Sequence, residues 1–244
     1  MKRKSSQAFT LVELLVVMVI IGIIAAMVVG VASLVNNKAA RTRALGEIKA
    51  MSAACESYKA DNGAYPRLTL VTEQDTNKPP PPIDPRVNEN PLGTAYVNAS
   101  LFLYEQLSGD IKAKYQPGSL DQNGVPLRIY MTFKPGQLNF TNPGGSSTLV
   151  PGASTVNYIQ DPFGNSYGYS TAAAKTEDDY KTSAYAVQAP PPGALIQTPA
   201  TPPPRATTLY GYNPTFDMWC TVGIVSTSTS TVSDAHHERW VKNW

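Results

Sequence analysis

Glu13 stands directly ahead of a run from Leu14 to Val35 in which roughly 22 residues pass without a charge, enough as a helix to cross the hydrocarbon of a bilayer. An uncompensated carboxylate entering such a span costs on the order of a few kcal/mol, so Glu13 calls for a cationic partner. Other reactive groups are sparse. His236 and His237 are the two histidines. With His237 and Glu238 adjacent rather than helically spaced, they form no zinc or catalytic arrangement and read as a solvated surface pair. Cys55 and Cys220 are too few for a disulfide framework, although one bridge stays open in an oxidising compartment. Cys55 falls on the apolar side of a predicted helix and Cys220 in an apolar strand, which favours two reduced core thiols. No phosphate loop, nucleophile–base pairing or metal cluster supports an enzyme or a membrane-tethered binding module.

The elements around Glu13 decide what its carboxylate can do. Lys2, Arg3 and Lys4 precede the apolar run, and positive residues stay cytoplasmic, so the rest of the chain faces outward. Three readings of the segment compete. A secretory signal would be cut after its apolar region, and Gly30-Val31-Ala32 before Ser33 is an acceptable small-residue site, but that region is normally shorter. A plain membrane anchor fits the length and gives no reason for Glu13. The third, implied by a family resemblance of the residues around Glu13, is a cut ahead of the apolar run, which would keep the helix attached and leave a cationic amine at its tip. In a staggered bundle that amine meets the Glu13 carboxylate of a neighbour; deleting one member of such a buried pair typically costs about 3–5 kcal/mol. The formal charge of +2 would fall to −1 on removal of the first eight residues, so bulk charge does not support nucleic-acid binding.

Beyond Asn36-Asn37 the chain turns amphipathic. Ala44, Leu45, Ile48, Met51, Ser52, Cys55 and Tyr58 recur at helical spacing, with Lys38, Arg41, Arg43, Glu47, Lys49, Glu56 and Lys59 mainly on the other face. The spacing predicts one long helix to Asp61, stopped by Gly63. Pro79-Pro80-Pro81-Pro82, Pro190-Pro191-Pro192 and Pro199 to Pro204 cannot lie in central strands and predict extended loops. A short helix is predicted over 98–108, capped by Asn98 and ended by Gly109. Leu127 to Phe133 reads as a strand, Asp161 to Tyr169 as a turn entering a strand, and Phe216 to Val222 as a closing strand.

The string Ala8-Phe9-Thr10-Leu11-Val12-Glu13-Leu14-Leu15 resembles the prepilin processing motif of type IV pilins and type II secretion pseudopilins. Asp61-Asn62-Gly63-Ala64-Tyr65-Pro66 is similar to the D-x-G-x-Y-P turn of major pseudopilins. Asp161-Pro162-Phe163-Gly164 stands for their D-P-W-G, Phe216-Asp217-Met218-Trp219-Cys220 for F-D-L-W-S, and Trp240 to Trp244 for their N-W ending. Ala8 replaces the usual Gly before the cut, which implies slower processing.

The resemblance implies an α+β, pilin-like fold: a long N-terminal helix packed on a small antiparallel sheet with long Pro-rich loops. It implies a leader over 1–8, a transmembrane and assembly half over 9–35, and a periplasmic domain over 36–244 holding helix 36–61, the short helix and a sheet over 127–225. A membrane peptidase would cut between Ala8 and Phe9 and methylate the Phe9 amine, which then pairs with Glu13 of the next subunit. Gly22 and Gly30 fall where the family has a Gly and a Pro that loosen the helix on assembly; close helix packing through small residues explains them equally. Implied partners are the prepilin peptidase/methyltransferase, further copies, other pseudopilins, an inner-membrane assembly platform and the membrane itself.

Major pseudopilins commonly bind calcium after the F-D-L-W-S strand. Here Val222-Gly223-Ile224-Val225 and Ser226 to Thr231 replace the aspartate-bearing stretch, leaving Asp234 and Glu238 as calcium candidates and no cofactor as the expectation. The implied role is a structural subunit of a type II secretion pseudopilus, anchored in a bacterial inner membrane and drawn into a periplasmic filament. The alternative on the same architecture is a type IV pilus subunit for adhesion, motility or DNA uptake.

Overall fold

The structure is a computed structural model describing residues 10–67, 85, 90–121, 123–174, 211–223 and 238–244, with the side chains of 28–34 also outside the described residues. The three proline-rich stretches, Ala8, Phe9, Ser226 to Thr231, Asp234, His236 and His237 lie outside it. Helix α1 (Leu11–Asn62) runs through two compact units, which divide between Thr42 and Arg43.

In the first unit every large apolar side chain from Leu11 to Met27 is between 47% and 79% exposed. Contiguous apolar surface of this extent marks a contact with membrane or protein. The expected span from Leu14 to Val35 passes through 28–34; among the described residues, no helix is long and apolar enough to cross a membrane.

The second unit is α+β. The α1 residues Ala44, Ile48, Met51, Ala54 and Cys55 are buried in a core shared with the strands and the second helix. Leu45, placed on the inner face by periodicity, is 40% exposed, while Glu47, placed on the outer face, reaches the core edge and bonds Tyr167. A wide apolar stripe has an ambiguous boundary, and the tertiary contact resolves it. Gly63 ends the helix at φ +75°, donating to the Lys59 carbonyl.

Helix α2 (Thr94–Ser108) starts four residues before the predicted Asn98 cap. Its N-cap is Gly93, held in a turn by the Asn90 carbonyl, and Asn98 lies inside the helix. The extra turn forms because Tyr96 is buried edge-on against Trp219, 5.5 Å between ring centres, and accepts the indole Nε1–H at 2.8 Å.

Leu127 to Phe133, predicted as a strand, pairs in no ladder. The N–H groups of Tyr130 and Met131 donate to Leu107 O, at the end of α2, and Leu127 N–H donates to Ser119 O. Its alternation reflects packing, with Phe133 buried 5.4 Å from Tyr104. The expected single sheet over 127–225 is instead two. β1 (Leu138–Thr141) pairs antiparallel with β2 (Thr155–Ile159); β3 (Gly168–Ser170), β4 (Asp217–Cys220) and β5 (Val241–Lys242) form an antiparallel trio in that order. β5 lies beyond residue 225, so the last strand comes from the segment of the predicted Trp240 to Trp244 motif.

Candidate functional site

Thr10 and Glu13 sit at the head of α1, and the sequence folds there into a capping box. The Thr10 hydroxyl accepts the Glu13 N–H at 3.3 Å, while the Thr10 N–H and O–H both donate to Glu13 Oε2 at 2.9 Å. Thr10-x-x-Glu13 is the T-x-x-E signature of such a box, a signal the sequence carries beside the interchain role that the charge of Glu13 suggests. A negative charge in the first turn also complements the helix dipole. The carboxylate is thus oriented within its own chain.

Ala8 and Phe9 lie outside the described residues, so their cut and the Phe9 amine remain expectations. Gly22 lies on α1 with nothing within 4 Å of where a Cβ would be. Gly30 falls inside the same helix, among residues whose side chains are not described.

The second unit presents the elements the motifs pointed to. Asp161 organises the turn before β3: its Oδ1 accepts the N–H groups of Phe163 and Asn165, each at 2.9 Å, and Cys220 donates its thiol to Oδ2 at 3.0 Å. Burial raises the Asp161 carboxyl above its ordinary value, and these hydrogen bonds oppose the shift. Tyr167, fully buried beside it, is pushed up by burial and then by the Glu47 carboxylate it bonds at 2.6 Å. Both cysteines are buried free thiols, and burial drives Cys55 well above a normal thiol.

The D-x-G-x-Y-P turn is a surface clasp, in which Tyr65 O–H donates to Glu56 at 3.0 Å and accepts from Lys59 Nζ at 3.2 Å. At the other end Trp219, Trp240 and Trp244 form an aromatic cluster. Trp240 stacks on Trp219 at 6.2 Å and 9°, and Trp244 stacks on Tyr212 at 4.6 Å and 12°. Packing is the chemistry of these groups. Of the calcium candidates, Asp234 lies outside the described residues and Glu238 is exposed. Among the described residues no group of three or more His, Cys, Asp or Glu could hold a metal.

An acid-headed apolar helix continuing into a small α+β unit defines the class of proteins that carry the prokaryotic N-terminal methylation motif, whose family description matches residues 3–29. Three curated relatives share the description type II secretion system core protein G. The Pseudomonas aeruginosa protein is 42% identical over 85 residues, 33% of this chain and 60% of that one. The Vibrio cholerae protein is 39% identical over 87 residues, 35% of this chain and 58% of that one. The Escherichia coli protein is 35% identical over 103 residues, 37% of this chain and 70% of that one. The chain belongs to the type II secretion system core protein G family, the G-type pseudopilins. It spans about three fifths of the length of the Pseudomonas and Vibrio relatives. No solved structure matches.

Proposed function

We propose that this chain is the structural subunit of a type II secretion pseudopilus. In this reading it enters the inner membrane with the half of the N-terminal helix over 9–35 across the bilayer and the domain over 36–244 in the periplasm. A prepilin peptidase cuts between Ala8 and Phe9 and methylates the new amine. An inner-membrane assembly platform then passes the subunit into a filament of further copies and other pseudopilins that drives protein export. The role is structural rather than enzymatic.

The observation that carries this is Glu13, a carboxylate oriented at the head of a helix whose large apolar side chains from Leu11 to Met27 are all exposed. Moving such a helix from lipid into a bundle of like helices yields little hydrophobic gain, because acyl chains are as apolar as Leu. Affinity and register must therefore come from specific contacts. An uncompensated carboxylate at the head of a spanning helix is unfavourable in lipid, and a neighbour's Phe9 amine offsets this only in the correct stagger. Glu13 then acts as a register mark as well as an anchor.

N-terminal mass spectrometry of the mature protein from its native host tests the proposal. A first residue of methylated Phe9 is the expected result; a chain starting at Ser33 or retaining Met1 overturns it.

A further inference from the structure

Between Arg43 and Asn62, Glu47 is the one charged side chain that is not exposed. Its side chain is 10% exposed, against 53% for its partner Arg43. Oε1 accepts Arg43 Nε–H at 2.8 Å and Oε2 accepts the Tyr167 O–H at 2.6 Å. Arg43 also donates through Nη2 to the Gly136 carbonyl at 3.3 Å. Tyr167 is held in turn by its own N–H on Ile159 O, just before β3. One carboxylate therefore ties the first turn of α1 in the second unit to the approach to β3. Through Arg43 it also reaches the 3-10 turn Pro135–Gln137.

Stability does not explain this arrangement. A carboxylate drawn out of solvent on one side carries a desolvation cost that a well-packed apolar residue would not, whereas polar groups at such sites are best attested as fixing register. The neighbouring apolar pattern needs that help. Ala44, Ile48, Met51 and Cys55 follow one another at one-turn spacing, so a slide of one turn, about 5.4 Å, exchanges apolar for apolar all along the buried face. The same slide carries Glu47 away from Tyr167 and brings Arg43 or Met51 toward it, and neither offers the phenol proton the carboxylate acceptor it has in the observed register.

We infer that the Arg43–Glu47–Tyr167 clasp sets the register of α1 on the second unit, making Glu47 and Tyr167 positioning residues for filament assembly. This rests on the proposed filament role. Every copy in a regular filament must hold residues 43–62 of α1 in the same register on the rest of the second unit.

The test uses the full-length protein. By hydrogen exchange in detergent, Tyr167→Phe should speed exchange of amides 43–50 by roughly 10- to 100-fold, the effect of losing a hydrogen bond to a charged group, while amides 54–60 change little. Equal acceleration along both stretches, or none, overturns the clasp. In cells carrying the secretion apparatus, the double variant Glu47→Leu/Tyr167→Phe, which leaves no buried partner unpaired, should yield protein that melts no lower than wild type yet forms few or irregular filaments, whereas Glu47→Gln alone keeps filaments normal. Normal filament number and axial repeat in the double variant overturns the register role. A wild-type chain that forms no filaments defeats the filament reading alone, because the exchange result still judges the clasp.

Discussion

Replacing Gly168 with alanine probes the aromatic cluster that closes the second unit. Gly168 pairs with Trp219 across the β3–β4 ladder, and its backbone is not in the left-handed region. Glycine is required there by contact alone, because an added methyl would overlap Cε2, Cζ2 and Cδ2 of the Trp219 indole. The ring has little freedom to yield. It is fully buried, holds the Tyr96 hydroxyl through Nε1, stacks on Trp240 and meets Trp244 edge-on at 5.9 Å. Overpacking typically costs about 1–3 kcal/mol, and a clash against a ring fixed on several sides belongs at the upper end, about 3 kcal/mol. For a folded unit of this size, 1 kcal/mol lowers the melting temperature by roughly 2–4 °C, so Gly168→Ala should melt roughly 6–12 °C lower. Circular dichroism of the full-length protein in detergent measures the shift. Adding Trp219→Phe should make the double variant more stable than the sum of the single losses, since the smaller ring frees the space. A Gly168→Ala protein melting within about 2 °C of wild type would refute the overlap and the rigidity assigned to the ring.

Other expectations follow from the same contacts. Glu13→Ala should leave cleavage and membrane insertion largely intact while reducing incorporation into filaments, read by co-assembly with wild type; normal co-assembly would count against the ion-pair role. It should also weaken the start of α1 by removing one half of the capping box, seen as faster amide exchange in the first turn. Because the folded-state value of Asp161 is raised above its unfolded one, its contribution to stability is full below the unfolded carboxyl range and is lost as pH rises through the folded value. Asp161→Asn should therefore flatten the part of the melting-temperature profile that falls with rising pH just above the ordinary carboxylate range. Cys55 and Cys220 should resist iodoacetamide in the folded protein and both react in denaturant, by mass spectrometry, because their thiols are buried and Cys55 is held protonated.

Much of this protein follows from local rules and can be read from the chain. An uncharged run headed by a carboxylate, helical periodicity through Tyr58, and a glycine stop at Gly63 need only spacing and backbone sterics. The Asp161 turn is equally local, since its side chain satisfies backbone donors two and four residues ahead. What depends on distant partners was not legible. Tyr96 lengthens α2 because Trp219 waits 123 residues further on. Leu127 to Phe133 has strand-like alternation but gives its backbone donors to the end of α2 and to the preceding turn. Glu47 has the same charge and helical setting as Glu56, yet one meets Tyr167 and the core edge while the other stays at the surface with Tyr65. Periodicity specifies which face of a helix is apolar; only the packed partner decides which polar side chain at that face's edge is drawn inside.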